Sequence, residues 1–122
     1  MELAYKELTE GIIGAAIEVH KSLGPGYMES IYEEASAVEL SFLGIPFERQ
    51  KTYEIRHRGQ LVGIHRMDFI THGLIVVELK SVECFDGTHF AQLKSYLTAS
   101  GLKLGLLLNF NKPTLVIKRF IL

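Results

Sequence analysis

Three charged residues near the middle of the sequence have the types and spacing of a metal-binding site. Glu78 and Lys80 interrupt the otherwise apolar run 74–80, and residues two apart in a strand share a face. Asp68 lies before Glu78 in the sequence, and a short turn at 71–73 separates them. This turn would fold Asp68 back beside the strand at 74–80. Two carboxylates brought close repel each other unless a cation lies between them. A hard divalent ion such as Mg²⁺ accepts such oxygen ligands, with water completing its shell.

The register of this hairpin decides whether Asp68 reaches the site. If Asp68 pairs near Val76, its side chain lies on the face of Glu78 and Lys80, whereas a one-residue slip puts it on the opposite face. The sequence leaves both registers open. It also leaves open the simpler interpretation that the strand is leaving the core and its charges are solvated.

Further polar residues recur at helical spacing on either side of this segment. Gln92 and Tyr96 are four apart and share a helical face, which either turns toward the sheet or forms a partly exposed polar surface. Glu29 and Tyr32 also share a face, although an acid in a first turn can simply stabilise its helix. His20 precedes a glycine turn, where a cation is favoured by the helix dipole.

The elements that must position these residues follow from hydrophobic periodicity. A first helix is predicted over about 8–20, with a stripe formed by Leu8, Ile12, Ala16 and Val19. A second helix runs to about Leu43, with its core stripe predicted at Met28, Ile31, Ala35, Val38 and Phe42. Three strands, a helix and two strands then follow, at 51–57, 61–70, 74–80, 88–100, 102–109 and 114–122. The predicted class is α/β in the order ααβββαββ, a mixed central sheet of a three-stranded meander plus two C-terminal strands, flanked by helices.

Composition limits the class of protein. The 122 residues are 48% hydrophobic, which predicts a single domain over 1–122 with a well-filled core. One cysteine, Cys84, cannot form an internal disulfide, so a reducing, cytoplasmic location is expected. The apolar runs are too short to cross a bilayer, so no membrane association is predicted. With a net charge of -1, any nucleic-acid contact must use a local patch, a dimer surface or a partner.

Taken together, these residues resemble the PD-(D/E)XK nuclease superfamily. Asp68, followed after nine residues by Glu78-Leu79-Lys80, is similar to the signature that names it, with Met67 in place of the proline. The resemblance implies the restriction-endonuclease-like core, whose order of elements matches the predicted one.

Two finer motifs also resemble branches of that superfamily. The spacing of Gln92 and Tyr96 is similar to the Q-x-x-x-Y motif of RecB-like members. Gly26, Glu29 and Tyr32 are similar to the pattern that names the GxxExxY family, and the flanking segments 20–26 and 105–110 resemble that family too.

The resemblance implies a nuclease that hydrolyses phosphodiester bonds of nucleic acid, with DNA favoured, using Mg²⁺ or Mn²⁺. Asp68 and Glu78 would be the metal ligands, joined by the backbone carbonyl of Leu79. Lys80 would position the attacking water, and Gln92 would orient Lys80 or the phosphate.

The resemblance assigns supporting roles to the other polar residues. Glu29 would be a catalytic-group acid that supports the metal from outside its direct ligands or binds it through a water. Tyr96 and Tyr32 would pack the site or contact the nucleic-acid backbone, and His20 is an outside candidate for a metal ligand.

Two other classes of function stay open. A module on the same fold could bind nucleic acid or a protein without cutting, which the near-neutral charge favours and the presence of Lys80 opposes. A structural or interaction protein would have solvated acids. Because the chain is small for a nuclease that must grip its substrate, a homodimer or a partner protein is expected, and the strand at 114–122 could pair across a dimer.

Overall fold

A computed structural model of the chain describes the backbone of residues 2–122 and the side chains from Tyr5 onward. It contains three helices and five strands in the predicted order ααβββαββ. Their bounds are α1 Glu2–Leu23, α2 Glu29–Phe42, β1 Phe47–His57, β2 Gln60–Thr71, β3 Ile75–Lys80, α3 Gly87–Ser100, β4 Leu104–Asn109 and β5 Val116–Ile121. Within residues 2–122, no helix combines the length and the hydropathy that a membrane span requires.

The five strands form one sheet in the order β1-β2-β3-β4-β5. Strands β1 and β2, and strands β2 and β3, pair antiparallel, as the short turns between them dictate. Because α3 separates β3 from β4, the chain crosses over and β4 pairs parallel to β3, after which β5 returns antiparallel. The mixed sheet predicted from the sequence is therefore confirmed, and β3 lies at its centre.

Strand β3 is buried on both faces, which explains its apolar run. Ile75, Val77 and Leu79 belong to a core shared with α1 and α2. Val76 belongs to a second core that α3 covers. By the alternation of a strand, Glu78 and Lys80 follow Val76 onto the α3 face.

The predicted core stripe of α2 is wrong at every position except Ala35, which is half-buried against the core. Met28, Val38 and Phe42 are 73%, 69% and 81% exposed, and Ile31 is exposed too. The helix instead buries Tyr32, Ser36, Ala37 and Leu40. Small residues at two of these four positions let α2 pack closely, and Tyr32 stacks on Phe110 with ring centroids 4.5 Å apart. On α1, the predicted stripe is buried at Ile12, Ala16 and Val19, and half-buried at Leu8.

The β1–β2 hairpin changes the face it turns inward near Asp68. Phe47 and Phe69 pack into the core of α1 and α2, whereas Tyr53 and Met67 pack into the core of α3. Strict alternation would place all four on one face. Gln50, opposite Asp68 in register, has a left-handed backbone with φ of 49°, which bends the hairpin between the two halves. Asp68 therefore lies at a local twist of its strand.

The close contact between β4 and α3 gives a test of the packing. A Cβ added to Gly105 would lie 2.6 Å from Leu93 Cδ1, inside the fully buried core. We expect Gly105→Ala to lower the free energy of unfolding by about 1–3 kcal/mol through overpacking. Gly14→Ala is the control, because its Cβ meets nothing within 4 Å on the exposed side of α1, and it should raise stability by about 0.5–1 kcal/mol. Urea denaturation measures both, and equal effects of the two variants would contradict this packing.

Candidate active site

Asp68 and Glu78 meet where β2 and β3 separate. The pairs Phe69–Val77 and Ile70–Val76 set a register that, continued by one residue, places Asp68 opposite Glu78. The two side chains therefore share a face, although the partner of Asp68 is two residues beyond the Val76 considered from the sequence. The Asp68 N–H donates to Glu78 Oε2 at 2.7 Å, and the Leu79 N–H donates to Asp68 Oδ2 at 2.9 Å. Each carboxylate is thus oriented by the backbone of the other strand.

One oxygen of each carboxylate makes no hydrogen bond within the part of the chain that the structure describes and is available to bind a cation. Among the described residues, Asp68 Oδ1 and Glu78 Oε1 accept no hydrogen bond from the protein. Glu78 is only 2% exposed, and its burial, followed by repulsion from Asp68, raises its pKa to about 8. Burial also raises the pKa of Asp68, against the opposing hydrogen bond from Leu79. A pair of buried carboxylates that resists ionisation is an arrangement that a divalent cation relieves.

The Lys80 side chain extends toward the two carboxylates and is held in position by a residue of α3. Its Nζ donates to Gln92 Oε1 at 2.9 Å. Its positive charge lowers the pKa of both Asp68 and Glu78, although less than burial raises them. The structure therefore brings together the four residues predicted on these two strands and on α3.

Tyr96 lies one helical turn beyond Gln92 and is almost fully buried. Burial, and then the negative charges of Glu78 and Asp68, raise the pKa of Tyr96 to about 12. Its hydroxyl therefore stays protonated near neutral pH and can donate a hydrogen bond toward the carboxylates. The ring of His65, 4.8 Å away between centroids, packs against it. The face of Gln92 and Tyr96 is thus turned toward the sheet.

Helix α2 adds negative charge on the other side of the site. Glu29 lies in its first turn, and its Oε2 is 3.5 Å from the backbone nitrogen of Ser81. Its charge contributes the smallest of the causes that raise the pKa of Asp68 and Glu78. Glu33, one turn later, also raises the pKa of Asp68 but is paired with Arg49 at 2.7 Å. The sequence analysis missed Glu33, although its spacing of four from Glu29 was visible.

Tyr32 and His20 stabilise the scaffold. Tyr32 is fully buried, and its hydroxyl donates to the Gly24 carbonyl and accepts from the Tyr27 N–H at 3.2 Å. It packs beneath the site and has no exposed surface with which to contact a nucleic acid. His20 Nε2 lies 2.7 Å from the Lys112 carbonyl, an interaction that joins the end of α1 to the loop before β5.

Few side chains at this site could act as metal ligands. Within the described residues, no three or more His, Cys, Asp or Glu side chains are grouped so as to hold a metal ion, and His20 does not join Asp68 and Glu78. A cation here would have two carboxylates, with backbone carbonyl and water oxygens completing its shell. This all-oxygen donor set fits Mg²⁺, which commonly binds through one or two carboxylates.

Asn109 is a structural residue of the site that the sequence analysis did not assign. It is buried at the end of β4, where its Nδ2 donates to the Val82 carbonyl at 2.8 Å. Its Oδ1 accepts from the backbone N–H groups of Val82 and Asn111, at 3.2 and 3.1 Å. Asn109 therefore fixes the chain immediately after Lys80. The only signal was an amide at the end of an apolar strand.

Comparison with known proteins agrees with this geometry. Residues 6–120 match the PD-(D/E)XK nuclease superfamily, and the chain belongs to it. The crystal structure of SSO0001 is similar in fold, with a TM-score of 0.60 at 21% sequence identity. The likeness covers 75% of this chain and 48% of that one, so the chain spans about half the length of SSO0001. No curated protein matches the sequence.

The buried carboxylates predict how stability depends on pH without metal. The pKa of Glu78 is about 8 in the folded protein and near the ordinary 4.5 in an unfolded chain, so the folded state binds the proton more tightly. The free energy of unfolding should therefore fall as pH rises from 4.5 to about 8, then level off. Glu78→Gln, which keeps the acceptor for the Asp68 N–H, should flatten this fall, and the raised pKa of Asp68 should leave a smaller residual slope. Urea denaturation in chelator across this range measures both proteins, and the same slope in both would contradict the assignment.

Proposed function

We propose that this protein is a metal-dependent nuclease that hydrolyses phosphodiester bonds, with DNA as the favoured substrate. The observation that carries the proposal is the pair of carboxylates at Asp68 and Glu78, each with one oxygen bound to the backbone and one available. Lys80 stands on the same face, held by Gln92. Membership in the nuclease superfamily supports the same reaction.

The proposed metal is Mg²⁺ or Mn²⁺. Asp68 and Glu78 would hold it through their available oxygens, with the Leu79 carbonyl as a further ligand. The ion supplies Lewis-acid activation of water and positive charge beside the phosphate. Glu29 lies close enough to add to the negative field of the ligands, which we assign as its role.

The protein's own groups would do the rest of the chemistry. The Lys80 ammonium would orient the attacking water and offset negative charge as it develops on the phosphate. Gln92 would fix Lys80, since its Oε1 already accepts the hydrogen bond from Nζ. The Tyr96 hydroxyl, kept neutral by its high pKa, would pack against the site as a hydrogen-bond donor.

The distribution of charge supports a nucleic-acid substrate. Residues 1–46, which form α1 and α2, carry 2 Lys and Arg against 8 Asp and Glu. Residues 47–122, which form the sheet and α3, carry 11 Lys and Arg against 6 Asp and Glu. The near-zero net charge thus divides into an acidic helical layer and a basic sheet layer, and the basic layer would contact the phosphates.

We assign the chain, more finely, to the GxxExxY group of the RecB-like branch. Support comes from Gly26, Glu29 and Tyr32 around the start of α2, and from Gln92 and Tyr96 on α3. We also propose that residues 1–122 act as one domain, in the cytoplasm, as a homodimer or with a partner protein. In the sheet, β5 is an edge strand and could pair across such a dimer.

Metal binding tests the carboxylate pair directly. Isothermal titration of the wild type with Mn²⁺ should show binding that Asp68→Asn weakens by at least about 10-fold, because the negative charge of a direct ligand is lost. Glu54→Gln, on the exposed part of β1, is the control and should bind as the wild type does. Equal affinity of Asp68→Asn and the wild type would sink the proposed site.

Cleavage tests the reaction. Labelled single- and double-stranded DNA and RNA should be cut in Mg²⁺ or Mn²⁺, and Lys80→Met should lower the rate by about 100-fold or more while retaining Mn²⁺ binding. Lys103→Met, in the exposed turn before β4, is the matched control. If no substrate is cut although Mn²⁺ binds, the protein is a binding module on the nuclease fold.

A further inference from the structure

A second feature lies beside the proposed active site, on the side of α2. A wide, open cavity of about 580 Å³, largely exposed to solvent, lies next to the end of β3. Its walls come from three separate segments and include Tyr27, Met28, Glu29, Ser30, Ser81 and Asn111. This volume lies in the range of about 300–1,000 Å³ that small-ligand pockets occupy.

The cavity adjoins the groups that would react. Ser81 follows Lys80 directly, and its Oγ donates to the Tyr27 carbonyl at 3.0 Å. Glu29, in the cavity wall, is the acid whose charge acts on both Asp68 and Glu78. A strand whose phosphate lay at the carboxylates would therefore place a neighbouring nucleotide at this cavity.

The residues that line the cavity favour binding of a nucleobase over binding of a phosphate group. No Lys or Arg is among the lining residues, and Glu29 contributes a negative charge, so a phosphate group would be repelled. Tyr27, 47% exposed, and the exposed thioether of Met28 offer flat or soft apolar contact. The Asn111 amide and the Glu29 carboxylate can pair with the polar edge of a heterocycle.

We propose that this cavity binds an unpaired nucleobase, which stacks on Tyr27 while Glu29 accepts a hydrogen bond from an exocyclic amino group. The inference rests on the proposed nuclease function and deepens it. Taking a base out of a duplex costs the free energy of unstacking and unpairing, so a single-stranded or frayed strand presents a base here most readily. The substrate class that this cavity favours is accordingly unpaired nucleic acid.

The cavity is preorganised by hydrogen bonds that do not involve the Tyr27 side chain. Its backbone N–H is held by the Tyr32 hydroxyl, and its carbonyl by Ser81. Across the cavity, the Asn111 N–H is fixed by Asn109. A change at the Tyr27 side chain should therefore alter stacking and leave the walls in place.

The absence of tryptophan from the sequence allows a direct test. Tyr27→Trp introduces a unique fluorophore at the cavity, and Phe42→Trp introduces one at the exposed far end of α2. In Mg²⁺, with Lys80→Met added to both proteins to slow cleavage, a short single-stranded oligodeoxynucleotide should quench the tryptophan at 27 and leave the one at 42 unchanged. The same oligonucleotide annealed as a blunt duplex should quench position 27 far less. Equal quenching at the two positions, or none, overturns the proposal.

Affinity gives an independent readout. Fluorescence anisotropy with a labelled single strand should show Tyr27→Leu raising Kd by about 5- to 150-fold, the range that loss of one stacked base produces. Tyr27→Phe, which keeps the ring, should retain the wild-type Kd, and Phe42→Leu is the control. An unchanged Kd in Tyr27→Leu overturns the stacking role.

Failure of this inference is distinguishable from failure of the nuclease proposal. If the wild type binds Mn²⁺ and cuts nucleic acid while Tyr27→Leu binds the single strand normally, the nuclease stands and the base site is rejected. If Tyr27→Leu loses affinity but neither Mn²⁺ binding nor cleavage occurs, the base site stands and the nuclease proposal is rejected.

Discussion

The candidate site depends on two reciprocal hydrogen bonds at the point where β2 and β3 part. Asp68 and Glu78 each accept from a backbone N–H that would otherwise lack a strand partner. These bonds orient both carboxyl groups on one face and hold them together in a buried place. Around them, α3 supplies Gln92, which accepts the hydrogen bond from Lys80, and α2 places Glu29 at the rim. The two bonds thus fix the point around which the other polar groups of the site are arranged.

The sequence predicted the face of these residues better than their pairing. An apolar run interrupted only by Glu78 and Lys80 indicates a central strand whose charged residues share a side. The offset of Asp68 is set by the geometry of the turn, which lies at 72–74 in the structure and leaves no hydrophobic signature. The sequence left the register open, and the observed pairing differs by two residues from the pairing with Val76 that would bring the side chains together, so they still converge.

Other features could not be predicted because they depend on partners distant in sequence. On α2, the large apolar residues suggested a core stripe, yet the helix buries Ser36 and Ala37, whose small size allows close packing. Asn109 binds Val82, 27 residues away, and nothing in the local pattern indicates that contact. The cavity beside Ser81 is likewise assembled from loops and the first turn of α2, which only the fold brings together.

The division of charge between the two layers has a consequence for how the protein meets a polyanion. The part of the chain that forms α1 and α2 carries 2 Lys and Arg against 8 Asp and Glu, a formal charge of −6, and the part that forms the sheet and α3 carries 11 against 6, a formal charge of +5, which gives the molecule an electric dipole. A nucleic acid would repel one end of that dipole and attract the other before any contact forms. The protein would consequently rotate during diffusion, so that encounters occur mostly in one orientation at low ionic strength and lose this bias as salt screens the field.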